Sequence, residues 1–176
     1  MGVSGCGKTT VGRLLATHFA WEFLDADGFH PPANVEKMRA GTPLGDADRV
    51  AWLASLRQAI AERLAAGRSA VLACSALREG YRRELRHPGE PVRFVYLKGD
   101  FATIRQRLLA GREGHYMPVS LLGSQFDTLE EPMDAIVVSV ELSPEQAVLE
   151  IVRALNRVAP ISTDAGQATP PRSHGP

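Results

Sequence analysis

Near the start of the chain, Gly2-Val3-Ser4-Gly5-Cys6-Gly7-Lys8-Thr9 fits the pattern G-x-x-x-x-G-K-[ST] in full. Each fixed position has a physical task. The glycines let backbone N–H groups turn inward around phosphate oxygens without a side-chain clash. Lys8 brings a mobile positive charge to the terminal phosphates, Thr9 offers a hydroxyl to Mg²⁺, and a helix opening at Lys8 presents the positive end of its dipole. With Thr10, these residues are the expected binding set for a nucleoside triphosphate. Cys6 reads as a small filler, because its thiol has no base nearby in sequence.

The loop identifies the nucleotide and leaves the acceptor open, since motors, switches and small-molecule kinases share it. Asp25-Ala26-Asp27 closes a short apolar run, Glu22 to Asp25, that reads as a strand whose end faces the same crevice as the loop. Strand alternation sends the two carboxylates to opposite sides. Asp25 is then expected to approach the metal, and Asp27 to accept a hydrogen bond from the attacking hydroxyl, the division of labour that phosphoryl transfer requires. The competing reading is that these acids cap a turn with Gly28. No acid of the usual metal-binding kind ends the next strand, where Cys74-Ser75 stands.

The elements that must position these groups alternate. Val11, Leu14, Leu15, His18 and Phe19 recur at helical spacing. Between Asp46 and Gly67, Val50, Leu53, Leu56, Ile60 and Leu64 fall on one helical face, with an Asp cap and a Gly stop. Ala70 to Cys74, Val92 to Leu97 and Ala135 to Val140 read as buried strands. Helices are expected around Tyr81 to Arg86, around Phe101, Ile104 and Leu108, and from Pro144 to Val158. The alternation predicts an α/β domain, a parallel sheet flanked by helices in three layers, over residues 1–158. From residue 159 to 176 the composition shifts to Pro, Gly, Ser and Thr and reads as a disordered tail.

At 176 residues, one core is expected on the prior of roughly 100 to 200 residues per domain. Lys plus Arg equals Asp plus Glu at 20 each, so no global field exists to hold a phosphate polymer, and nucleic acid is not the expected partner. No apolar run approaches the roughly 20 residues of a membrane helix, and no secretory segment is legible. With only two cysteines and no paired spacing, the expected compartment is the reduced cytoplasm.

Further stretches carry a resemblance: Gly28-Phe29-His30-Pro31-Pro32 through Lys37, Gly41-Thr42-Pro43-Leu44-Gly45-Asp46-Ala47-Asp48-Arg49 with Trp52-Leu53, Cys74-Ser75-Ala76-Leu77-Arg78 with Tyr81-Arg82, Leu97-Lys98-Gly99-Asp100-Phe101, Arg112 with Gly114-His115-Tyr116, and Gln125-Phe126-Asp127 to Pro132. Together they resemble the bacterial-type gluconokinases, shikimate-kinase-like P-loop sugar-acid kinases, from Gly2 to about Leu155. The resemblance implies ATP with Mg²⁺, transfer of the γ-phosphate to the 6-hydroxyl of D-gluconate, and five parallel strands in the order 2-3-1-4-5. A homodimer stays open.

On this reading Arg49 is the expected partner of the substrate carboxylate, whose charge a planar guanidinium fork suits. His30 and Lys37 address hydroxyls or the same carboxylate, and Ser75 and Arg78, just past a strand end, bind the acceptor or the moving phosphoryl group. Each has a plainer alternative: a turn residue, a solvated helix charge, a helix cap or a salt-bridge partner. Arg112 is the expected phosphate clamp, on a lid spanning about 110–132. Rival readings are a kinase of the same fold for shikimate or a nucleoside monophosphate, and a nucleotide-binding module without acceptor chemistry.

One expectation concerns the first strand. A phosphate loop ordinarily hangs from a buried strand, yet only Met1 precedes Gly2, so the central strand is expected to be truncated and the sheet left with unpaired ladders. Met1 then reads as an internal methionine, and the chain as written as marginally stable.

Overall fold

The phosphate loop leads straight into α1 (Lys8–Phe19), which ends where Ala20 turns left-handed at φ 53° and its N–H returns to the carbonyls of Ala16 and Thr17. The structure, a computed structural model, describes residues 1–110 and 119–158. After α1 come β1 (Glu22–Asp25), a 3₁₀ turn (Ala26–Phe29), α2 (Pro32–Arg39), α3 (Asp46–Ala65), β2 (Ala70–Ala73) and α4 (Glu79–Leu85). The chain continues through β3 (Val95–Lys98), α5 (Phe101–Leu109), a second 3₁₀ turn (Val119–Leu121), α6 (Leu122–Thr128), β4 (Ile136–Ser139) and α7 (Pro144–Val158).

Among the described residues the strands form two parallel pairs. β1 runs beside β2 with Glu22 opposite Ala70 and Asp25 opposite Ala73, and β3 runs beside β4 with Val95 opposite Ile136. Between the pairs stands Met1. Its carbonyl accepts from the Leu97 N–H at 3.0 Å, its amino group donates to the Val95 carbonyl, and the next residue, Gly2, donates to the Ser75 carbonyl at 3.1 Å. The order is therefore β1-β2-Met1-β3-β4, the expected one with a single residue where the central strand belongs. Behind Met1 a cleft of about 570 Å³ runs between β2 and β3, lined by Leu15, Leu72, Phe94, Leu97 and Ile151 among others. Burial pushes the Met1 ammonium down to about 6.

Two apolar clusters flank the strands. Val11 and Leu15 of α1, Val148 and Ile151 of α7, and Ile104 of α5 gather in one, against which Val71 and Val95 pack. Trp52 and Leu56 of α3 with Leu85 of α4 form the other, on Leu72 and Phe94. Because successive strand residues point to opposite faces, Val71 and Leu72 divide the clusters between the two sides of the sheet.

Three expectations change. The buried stripe of α3 is Trp52, Leu56 and Ala59, while Val50 is 68% exposed: a stripe counted on aliphatic residues alone missed the indole, and the helix is rotated toward it. The cap of α3 is Gly45 rather than an aspartate; Asp48 reaches back to accept the Gly45 N–H at 2.9 Å. Of the stretch taken as a lid, residues 111–118, with Arg112, lie outside the described residues. The remainder includes α6, whose Leu122 is buried in the core with Phe126 packed against it. The tail from 159 likewise lies outside them.

Candidate active site

The phosphate loop holds its shape through its glycines and its apolar side chains. Gly7, at φ 99°, makes the turn into α1. At Gly2, φ 136°, a Cβ would meet the Cys6 sulfur and the Leu97 carbonyl at 2.9 Å. Val3 and Cys6 are buried beneath the loop, which explains small apolar residues at positions the motif leaves free. Lys8 Nζ donates to the carbonyls of Gly2 and Val3, 3.0 Å each, so its charge already lies over the loop. The Ser4 N–H donates to Gln125 Oε1 of α6 at 2.6 Å. Thr10 continues α1.

The strand ends close on this loop. Thr9 Oγ1 donates to Asp25 Oδ2 at 3.2 Å, bringing together the two residues expected at the metal. Asp25 then caps the 3₁₀ turn, its Oδ1 accepting from the Asp27 N–H at 3.2 Å. Strand alternation therefore does not separate the two carboxylates as expected: the strand ends at Asp25, and Asp27 is carried by the turn, with its residue exposed. The capping alternative is realised for Asp25 alongside its contact with Thr9.

Beyond the turn, cations meet an aromatic ring. Arg49 Nη1 donates to the Leu44 carbonyl at 2.6 Å and to the Tyr81 hydroxyl at 3.3 Å. Arg78 Nη1 donates to both Asp46 oxygens, at 2.8 and 2.7 Å, and the Tyr81 hydroxyl donates to Asp46. Both guanidinium carbons lie over the Tyr81 ring, at 5.5 and 5.9 Å. The Tyr81 hydrogen bond and then Arg78 hold the Asp46 carboxyl below the usual range, while burial, then Asp46, pushes the Tyr81 phenol up. Lys37 stands apart from this cluster, paired with Asp48 at 2.6 Å, and that bond lowers the Asp48 carboxyl. Asn34, 5% exposed, fastens α2 to α3 through the Asp48 carbonyl at 2.7 Å.

His30 stacks on Trp52 at 4.6 Å with planes 7° apart. Burial holds its imidazole below the usual range, Asp27 opposing the shift and Arg49 adding to it. Ser75 meets the loop through its carbonyl, and its cap reading fails because α4 opens later, with Arg78 at the cap position. Cys74 lies buried at the end of β2, where burial pushes its thiol up to about 11. The guanidinium of Arg107 donates to the Val140 carbonyl, tying α5 to the end of β4.

From the sequence, Gln125, Tyr81 and Trp52 had no role at the site, and Asp46 was expected only as a helix cap. Tyr81 and Trp52 carried one available signal, an aromatic with a polar handle close to a predicted site residue. Nothing local marked Gln125.

This geometry has relatives. The family profile described as shikimate kinase matches residues 4–156. A gluconokinase of Gluconobacter oxydans (strain 621H) is 49% identical over 156 residues, covering 87% of each chain. The chain belongs to the gluconokinase branch of the shikimate kinase family. Among solved structures, this gluconokinase-family chain matches an unliganded sugar kinase of Janibacter sp. HTCC2649 with a TM-score of 0.82 at 44% identity, over 91% of this chain and 93% of that one. It matches a gluconokinase from Sinorhizobium meliloti 1021 with a TM-score of 0.79 at 41% identity, over 90% of each.

Proposed function

We propose that this chain transfers the γ-phosphoryl group of ATP to the 6-hydroxyl of D-gluconate, giving ADP and 6-phospho-D-gluconate. The observation that carries the reading is the pair of hydrogen bonds, Thr9 to Asp25 and Gly2 to Ser75, that fasten the phosphate loop to the ends of β1 and β2. They bring the nucleotide loop beside the turn that carries Asp27, and the gluconokinases at high identity supply the acceptor.

In this reading Lys8 exchanges its two carbonyl partners for phosphate oxygens and stabilises charge on the moving phosphoryl group. Asp27 accepts the proton of the attacking hydroxyl. Arg49 and Arg78 bind the gluconate carboxylate, with Asp46 and Tyr81 orienting their guanidinium groups. His30, its imidazole held below the usual range by burial, bonds a hydroxyl; Lys37 and Ser75 border the acceptor, and Arg112 clamps the phosphates. Thr9 and Asp25 form an oxygen donor pair that fits Mg²⁺ and would hold it. Bound there, it would neutralise charge on the nucleotide phosphates. We place the reaction in the cytoplasm: both thiols are free and buried, and no helix among the described residues is long and apolar enough to cross a membrane.

The test is coupled ADP release with gluconate, other sugar acids, shikimate and a nucleoside monophosphate, using Lys8→Ala to report background. Gluconate-dependent release with a phosphorylated product supports the reading. Release that ignores the acceptor, or prefers shikimate, overturns it.

A further inference from the structure

Trp52 lies one turn past Arg49 on α3 and is 2% exposed. Its Nε1–H donates to the Ala26 carbonyl at 2.8 Å. Ala26, fully buried, is the residue between Asp25 and Asp27. The other face of the same contact is the stack on His30, four residues further along the turn. One side chain thus grips the turn at both ends, by an edge donor and by a flat face. Volume alone would fill the core; an N–H aimed at one carbonyl and a ring parallel to one imidazole also fix direction.

His30 needs that fixing. Its Nδ1 is buried without a hydrogen-bond partner among the described residues, so no bond on that side sets the ring's orientation. The stack does. Asp27, on the turn itself, and Arg49, on α3, are the charged groups whose fields reach the imidazole.

We infer that Trp52 is a positioning residue for the acceptor: from α3 it fixes both the turn that carries Asp27 and the ring of His30, so that the proton acceptor and the hydroxyl-binding group keep one mutual geometry. The inference rests on the roles proposed for those two residues. A displacement of about 1 Å at a reacting group can cost about a hundredfold in rate, so a residue that touches no substrate can still govern turnover.

Trp52→Phe keeps a ring for the stack and removes the N–H, whereas Trp52→Leu removes both. In the full chain, with thermal unfolding measured alongside, Trp52→Phe should lower kcat with gluconate about ten- to a hundredfold while the ATP KM stays within about twofold. Trp52→Leu should in addition raise the gluconate KM. A second readout is independent of turnover. The chain has two tryptophans, and Trp21→Phe leaves Trp52 as the sole indole. Its emission should change when gluconate is added without ATP, and should be quenched as pH falls below the ordinary imidazole range, a step that His30→Gln abolishes. Unchanged kcat and KM in Trp52→Phe with only a lowered Tm would make Trp52 a packing residue and overturn the inference, as would emission indifferent to gluconate. A wild-type chain inactive on gluconate overturns the proposed function as well; an active wild type with an unimpaired Trp52→Phe overturns the Trp52 role alone.

Discussion

Asp27 is held through its backbone N–H while its residue stays exposed, which suits a group that must receive a proton and release it. Asp27→Asn should lower kcat by about 10² to 10⁴ and leave the gluconate KM nearly unchanged, because a positioned base acts in the transition state. Steady-state kinetics decide, and an unchanged kcat moves the role elsewhere. Arg49→Lys keeps a charge but loses the planar donor set shared between Leu44 and Tyr81. Affinity for gluconate should fall far more than affinity for an uncharged polyol of equal length; equal losses, measured by calorimetry, would make Arg49 structural. At this scale the phosphate loop was legible because its chemistry is contiguous. The partners of Trp52, Tyr81 and Gln125 were not, since they lie 26, 32 and 121 residues away. The carboxylate pair was read from strand alternation, but the chain turns at Asp25 before alternation can act.

The order and kind of most elements followed from periodicity, and their limits did not. The apolar runs at Val92 and Ala135 begin before β3 and β4 do, because a ladder extends only where a neighbouring strand supplies partners. α6 escaped notice inside a polar stretch, and it carries a link of functional weight, the bond from the Ser4 N–H to Gln125. One hydrogen bond is worth about 0.5 to 1.5 kcal/mol net, or about two- to tenfold in affinity. Gln125→Leu should therefore raise the ATP KM by about that factor with the gluconate KM unmoved. Equal shifts in both would show that α6 supports the fold at large rather than the loop.

For the molecule as a whole, composition and alternation were enough to predict an α/β domain with parallel strands flanked by helices. Behind Met1, the cleft between β2 and β3 has room for added apolar chain. Fusing four apolar β-formers ahead of Met1 should bury about 1.5 to 3 kcal/mol per side chain against about 1 to 2 kcal/mol per residue of ordering entropy. The net, about 3 kcal/mol, corresponds to a rise in Tm of roughly 6 to 12 °C. The same fusion turns the buried amine into an amide. With a folded value near 6 below the ordinary 8.0, the amine's contribution is complete above pH 8 and is lost as pH falls toward 6. The unextended chain should lose about 2 kcal/mol across that window, and the fusion should not. Calorimetry of both forms from pH 6 to 8 checks this; identical profiles would remove the cleft from the stability argument.

The two buried thiols also give the chain a built-in clock. Cys6 sits within the phosphate loop and Cys74 beside it at the end of β2, and both are closed to solvent. Burial pushes the Cys74 thiol up to about 11, so the folded protein holds it in the unreactive thiol form. Alkylation must therefore wait for the loop region to open, and its rate counts those openings. Adding ATP should slow the modification of both cysteines together, by mass spectrometry, whereas a ligand that stabilised only the far side of the sheet would leave the clock running at its former pace.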